Sequence, residues 1–348
     1  METPETRARG FGRALWSTLA VLALTAVAIG VVYVNRGGED SAGRTPAGAD
    51  SLAQTEPVAS DKAHGTIDGT YYYNKYTEQA SELWSWKPGG QPTSVYKTSK
   101  SKLVSDARVS PDGRYLSFLV TGSQYPLYNL VVRDLETKTE RTIAKDLLQG
   151  GEYCMDATWA PDGRPMILTQ VGIDGKGNPV LRWFNTETGD KSNKITVQGC
   201  FARPVARGDD GFDLFYVKSG TTEIYRQTPD GKLKNTGIGA AIEQNLGEPV
   251  LGLGDLSADG KRACLTVGEG NGPRGRTLDC KIVVDVAAKT VVYMPDGGFK
   301  GPVLFLDDGR TSGRFSGHVS LMAADGSPIA RADEPAAVKT FYMLGYVE

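Results

Sequence analysis

Histidine is almost absent from this chain: His64 and His318 are the only two in 348 residues. A Ser-His-Asp relay would have to run through His318, yet no Gly-x-Ser-x-Gly elbow exists, and "GRFSGHVS" (313–320) does not fit one. A strand or loop histidine satisfied by its neighbours is the simpler role. Cysteine is also scarce, with four residues and no Cys-x-x-Cys pair, so a four-cysteine zinc site is not supported. The first cysteine is Cys154, so there is no lipobox. Neither sign of charge is in excess, with 39 basic against 41 acidic residues. Nucleic-acid binding needs a concentrated basic face that displaces counterions. The cluster "KTSKSK" (97–102) is too small for that and reads as solvated loop charge. "GIDGKGN" (172–178) lacks the spaced acidic ligands and terminal Glu of a calcium loop. "GEGNGPRGR" (268–276) neither follows a buried parallel strand nor opens a helix, which leaves a hairpin loop rather than a phosphate cradle. No catalytic residue, metal ligand or cofactor-binding residue is assigned.

What the chain does have begins with "ALWSTLAVLALTAVAIGVVYV" (14–34), an uncharged run of 21 residues. As a helix it measures about 31 Å, the thickness of a hydrocarbon core. Arg7, Arg9 and Arg13 precede it, so residues 1–13 are expected to be a cytoplasmic tail and the rest extracytoplasmic. A cleaved signal is the other reading, since Ala26 and Ala28 have the right small-residue spacing. The apolar run continues past that point, which favours an uncleaved signal anchor. Residues 35–65 are Gly, Ala, Ser, Thr and Pro with scattered charge and few apolar anchors. Such a segment cannot bury enough surface to offset its ordering entropy and reads as a flexible linker.

From residue 66 onward one pattern repeats. Asp112-Gly113, Asp162-Gly163, Asp210-Gly211, Asp259-Gly260 and Asp308-Gly309 follow one another at intervals of 50, 48, 49 and 49 residues. Short apolar segments precede each pair and follow most of them, as in "VSPDGRYLSFLV" (109–120) and "WAPDGRPMIL" (159–168). Asp-Gly between apolar runs is a hairpin signal, because Gly accepts positive φ and Asp bonds its own turn backbone. A second polar turn recurs in every unit, for example "DLETKT" (134–139) and "NTETGD" (185–190). Four strands per unit of this length is the period of a β-propeller blade.

Five units are clear, and "GTYYYNKY" (69–76), "ELWSWKPGGQP" (82–92) and "TSVYK" (93–97) supply three strands of another. That first unit lacks its innermost strand, whereas "TFYMLGYV" (340–347) falls where one more innermost strand is due. The economical arrangement is an all-β, six-bladed propeller over residues 66–348, closed by a strand at 340–347. Closure removes the sheet edges that invite aggregation.

"VSPDGRYLSFLV" with "YNLVVRDLETKTERTIA" resembles the repeat of the TolB-like, WD-repeat-like propellers, best over 106–143, well over 156–197 and in part over 255–292. The resemblance implies a bacterial six-bladed scaffold and does not name a ligand. The family's namesake carries a periplasmic α/β domain ahead of its propeller; here the apolar run and linker stand in that place.

In an exported domain four cysteines suggest two disulfides, with buried thiols the alternative. Cys264 and Cys280 are expected on neighbouring second and third strands. Cys154 and Cys200 hold nearly the same phase of adjacent units, 9 and 11 residues before Gly163 and Gly211. Tyr71, Tyr73, Trp84 and Trp86 form the candidate binding surface, against the plainer alternative of packing between blades. The channel mouths are the default ligand position by shape. The functional expectation is a non-catalytic, membrane-anchored scaffold, monomeric in its propeller, that binds an envelope protein, peptide or glycan. The alternative is a hydrolase or lyase with a channel-mouth site, with or without a metal.

Overall fold

The computed structural model describes residues 65–348 except 78–79, 99–103, 122–126, 149–156, 209–210, 269–279, 295–298 and 316. The run 14–34, the tail before it and the linker up to residue 64 lie outside the described residues. Among the described residues no helix is long and apolar enough to cross a membrane.

The chain forms six antiparallel sheets of four strands. Blade 1 begins with β1 (Thr70–Tyr76), β2 (Ser81–Trp86) and β3 (Thr93–Lys97). Blade 2 is β4 (Val104–Val109), β5 (Tyr115–Thr121), β6 (Leu127–Asp134) and β7 (Glu140–Leu148). Blade 3 is β8 (Thr158–Trp159), β9 (Met166–Ile173), β10 (Pro179–Asn185) and β11 (Ile195–Thr196). Blade 4 is β12 (Gly199–Ala206), β13 (Phe212–Lys218), β14 (Ile224–Gln227) and β15 (Leu233–Asn235). A helix, α1 (Ile238–Leu246), precedes blade 5, which is β16 (Val250–Leu256), β17 (Arg262–Val267), β18 (Ile282–Asp285) and β19 (Thr290–Tyr293). Blade 6 is β20 (Val303–Phe305), β21 (Thr311–Phe315), β22 (His318–Met322) and β23 (Pro328–Asp333). The last strand, β24 (Tyr342–Val347), returns to blade 1 and pairs with β1, with Thr70 opposite Val347 and Asn74 opposite Tyr342.

Burial follows position in the blade. Second strands are flanked by neighbouring blades on both faces, so β5 and β13 bury nearly every side chain, whereas the outermost β15 is exposed throughout. Apolar clusters occupy all six seams. Leu83 and Leu344 meet Phe118 between blades 1 and 2, and Leu130 meets Trp159 between blades 2 and 3. Trp183 meets Phe212 in the next seam, and Val205 meets Leu253 in the one after. Cys264 and Val283 pack with Phe299 and Val303 between blades 5 and 6. Tyr71 and Tyr73 pack with Val319 and Leu321 where blade 6 meets blade 1.

Two features differ from the sequence expectation. The all-β reading misses α1, a nine-residue helix bounded by Gly237 and Gly247, both left-handed, with Ile238 and Ile242 buried in the seam of blades 4 and 5. The closing strand starts at Tyr342 rather than at 340, because residues 335–341 form a turn in which Val338 and Lys339 donate to the Pro335 carbonyl.

Candidate functional site

In an antiparallel blade successive connections alternate between its two ends. The Asp-Gly turns (first strand to second) and the polar turns (third to fourth) therefore share one rim. The second-to-third loops and the crossings between blades share the other, which we call the crossing rim.

The turn rim is built from self-satisfied loops. In the Asp-Gly turns, Asp112, Asp162, Asp259 and Asp308 each accept the backbone N–H two residues on, at 3.0–3.2 Å. Asp210 lies outside the described residues, next to Gly211. In the polar turns, Asp134, Asn185 and Asp285 each accept two consecutive backbone N–H groups. Basic neighbours neutralise these carboxylates locally: Arg164 on Asp162 at 2.7 Å, Lys232 on Asp230 at 2.8 Å, Lys261 on Asp259 at 2.9 Å and Arg310 on Asp308 at 2.5 Å. Two turn glycines, Gly113 and Gly260, have φ near 70°, and each also receives a valine from the preceding blade's innermost strand. A Cβ would stand 2.5 Å from Val347 Cγ1 at Gly113 and 2.9 Å from Val205 Cγ1 at Gly260. The repeat is thus a packing device as well as a turn signal. On this rim of blade 4 an open polar cleft of about 470 Å³ lies among Arg207, Thr228, Asp230 and Lys232.

The crossing rim has a different character. Its second-to-third loops range from 316–317 in blade 6 to 268–281 in blade 5, and its inter-blade crossings range from 197–198 to 236–249. Five large apolar side chains are exposed among the described residues, and Tyr76, Ile173, Met294 and Tyr342 stand at this end of their strands. Leu233 alone stands at the other. Tyr76 and Tyr342 lie at the same end of the neighbouring strands β1 and β24.

The aromatic residues singled out from the sequence are not a surface. Tyr71 and Tyr73 are wholly buried, Trp86 is nearly so, and Trp84 is half-buried against the same cluster. The reason is their place on β1 and β2, the interior strands of a blade with neighbours on both sides. Tyr71 shares a hydrogen bond with Ser312 of blade 6 at 2.8 Å, and Trp84 packs on Phe341 at 5.8 Å between ring centres.

Cys264 and Cys280 form a disulfide with Cα atoms 5.4 Å apart. It is not a bond between paired strand residues: Cys264 stands opposite Val283, and Cys280 lies just ahead of β18. Cys200 is also disulfide-bonded, and Cys154 lies outside the described residues. Cys200 and Cys280 both belong to the crossing rim's half of their blades. His318 stacks on Phe315, with ring centres 5.2 Å apart.

The channel holds a cluster that sequence reasoning missed. The innermost strands β4, β12 and β16 contribute Arg108, Arg203 and Asp255. Arg108 Nη1 lies 3.5 Å and Arg203 Nε 3.6 Å from the same oxygen, Asp255 Oδ1. Arg203 is buried and also donates to the Gly254 carbonyl. Blades 2 and 5 face each other in a ring of six, so the Arg108–Asp255 contact spans the channel. Its signal was in the repeat: both residues stand five positions before their turn glycines, Gly113 and Gly260. Chemically this is one carboxylate shared between two guanidinium groups. Among the described residues no three His, Cys, Asp or Glu side chains are grouped as metal ligands would be.

No protein-family model matches the chain, and no curated protein matches it in sequence. Solved structures do match in shape. TolB from Acinetobacter baumannii is similar at a TM-score of 0.50 and 18% identity, over 81% of this chain and 67% of that one. A chain of a nidogen/laminin complex gives 0.48 and 11%, over 80% and 98%. The β-propeller domain of the Trilobed protease from Pyrococcus furiosus gives 0.43 and 17%, over 82% and 84%. The agreement with the TolB structure is one of fold, and it is in keeping with the repeat-level resemblance. The chain is a six-bladed β-propeller of TolB-like fold.

Proposed function

We propose that this protein is an extracytoplasmic binding scaffold, held to the cell membrane by residues 14–34, whose crossing rim receives a protein segment of the cell envelope. The observation that carries the reading is the difference between the two rims. The turn rim presents short loops whose aspartates and asparagine accept backbone N–H groups of their own loop, and whose carboxylates find arginine or lysine partners on the same rim. The crossing rim presents variable connections and four of the five exposed large apolar side chains among the described residues. Tyr and Met are favoured interface residues because they offer large contact area with adaptable packing. Fixed on strand ends of a stapled ring, they lose little conformational freedom on binding. The 35–65 linker, as a flexible coil of 31 residues, has a root-mean-square span of about 30 Å. That lets the domain search a shell of the envelope near the membrane.

The test is capture from intact cells. The full chain, tagged after Glu348, is crosslinked and the captured material identified by mass spectrometry. One recurrent envelope protein is expected, with capture reduced at least fivefold in a Tyr76→Ser/Tyr342→Ser double variant. Turnover of a small molecule that disappears with Asp255→Asn, in the absence of any protein capture, would overturn the scaffold reading in favour of a channel-mouth hydrolase or lyase.

A further inference from the structure

The crossing-rim end of blade 1 gathers exposed rings, lysines and one buried amide. Alternation divides the side chains of β1 between its two faces. Tyr73 and Lys75 turn toward blade 6, where Tyr73 packs with Val319 and Lys75 lies 5.4 Å from the centre of the Phe341 ring. Asn74 and Tyr76 turn the other way, toward blade 2. Tyr342 of β24 stands opposite Asn74 in the ladder and so shares that face. Tyr76 is 55% exposed and Tyr342 37%, while Asn74, one pleat further in, is 1% exposed.

Asn74 is the anomaly of this group. Neither its amide oxygen nor its amide nitrogen has a hydrogen-bond partner. Its opposite number on β2 is Leu83, packed in the apolar seam of blades 1 and 2. A leucine in place of Asn74 would leave nothing unsatisfied, so the amide costs stability that an apolar side chain would not. An asparagine amide holds a donor and an acceptor side by side, the complement of a backbone C=O and N–H.

The charge beside it has an excess of one sign. Lys97 Nζ lies 2.7 Å and Lys75 Nζ 3.9 Å from the Glu82 carboxylate, two lysines on one half-covered acid. Lys339, on the crossing to β24, is exposed and lies along Gly317 of blade 6. The neighbouring carboxylates on the blade 6 side are already held, Asp333 by Arg331 at 3.5 Å and the buried Glu334 by Arg314 at 2.8 Å. Among the described residues the patch is basic, and it borders the exposed tyrosine pair.

Resting on the scaffold reading above, we propose that this end of blade 1 docks an extended acidic segment of the partner that carries one aromatic or large apolar side chain. That side chain inserts between the Tyr76 and Tyr342 rings, which turn outward and uncover Asn74. The Asn74 amide then bonds one peptide group of the segment, and Lys75, Lys97 and Lys339 face its carboxylates. Side-chain rotations of this kind are common at interfaces and leave the strands beneath them paired. The rim lysines set on-rate and partner choice, whereas the inserted ring and the satisfied amide hold the complex. A lipid surface would answer the lysines, but it would not reach an amide one pleat below the rim.

The experiment is fluorescence anisotropy on the purified full chain in detergent with two labelled peptides. One carries a single Phe among Asp and Glu residues; the other has Lys in place of every acid. The acidic peptide is expected to bind about tenfold tighter than the basic one, and to weaken as salt is raised. Lys97→Glu/Lys339→Glu should lower its affinity about tenfold, and Asn74→Leu about fivefold. Asn74→Leu should at the same time raise the melting temperature, a split that a merely structural asparagine would not give. No binding of the acidic peptide, equal binding of both peptides, or full affinity in Asn74→Leu overturns the proposal. Displacement of the acidic peptide by dilute short-chain phosphatidylglycerol would assign the patch to lipid headgroups and overturn it as well. Failure here is distinct from failure of the scaffold reading. Capture in intact cells that needs Tyr76 and Tyr342 but not Lys97 and Lys339 keeps the scaffold and removes the acidic segment.

Discussion

The glycines of the Asp-Gly turns carry two separable burdens, one backbone and one steric. At Gly163, where φ is 76°, an added Cβ would meet nothing within 4 Å, whereas at Gly113 and Gly260 it would meet valines from the preceding blade. Left-handed backbone costs an L-residue about 1–2 kcal/mol. Crowding a packed seam adds about 1–3 kcal/mol more. Thermal denaturation should therefore rank Gly163→Ala as the mildest change, with Gly113→Ala and Gly260→Ala clearly worse. Equal losses at the three positions would mean that the valine contacts contribute nothing. Residue-level reading from sequence had a clear limit here. The turn chemistry of Asp112 and Gly113 is local and legible, but the partner of Gly113 is Val347, at the far end of the chain.

Strands and turns were the most legible scale because their rules are local. β3 coincides with "TSVYK", and β5 and β9 fall on the apolar runs that follow their Asp-Gly pairs. The helix α1 was not legible because it has no side-chain cap at its start and replaces what elsewhere is a simple crossing. The aromatic pair of strands was misplaced for a related reason. Alternation tells which side chains share a face, but only the ring tells that both faces of β1 and β2 are covered. The turns of the turn rim give a testable pH dependence. Backbone N–H donors hold the carboxyls of Asp134, Asp285 and Asp308 below their ordinary value of 3.8, with Thr137, Ala288 and Arg310 the leading donors. Groups so lowered contribute stability that is present above 3.8 and lost as pH falls through their depressed values. Acid unfolding followed by circular dichroism should therefore set in below pH 3.8. Asp134→Asn should fold normally, since Asn185 already accepts the same pair of N–H groups in blade 3. The variant should lose part of the acid sensitivity; an unchanged acid profile would show that this turn carries none of it.

At the scale of the molecule, six seams of apolar side chains hold the ring, and β24 joins its last blade to its first. Antiparallel blades sort their connections between two rims, and this chain has used the rims differently. The turn rim repeats with a near-constant period and matches its own charges. The crossing rim is irregular, carries the Cys264–Cys280 bridge and exposes Tyr76, Ile173, Met294 and Tyr342. Nothing in the sequence separated the rims, because exposure depends on which strand ends face outward once the ring is closed. The Arg108–Asp255 contact was likewise hidden until opposite blades were placed face to face. A scaffold that binds through its crossing rim makes one demand that no other arrangement shares. Photo-crosslinking residues placed singly at Tyr76, Ile173 and Met294, in the full chain in intact cells, should each capture the same envelope protein. The same probe at Leu233 and Glu187, exposed on the turn rim, should capture none. Capture from the turn rim, or equal capture from both, would contradict the account.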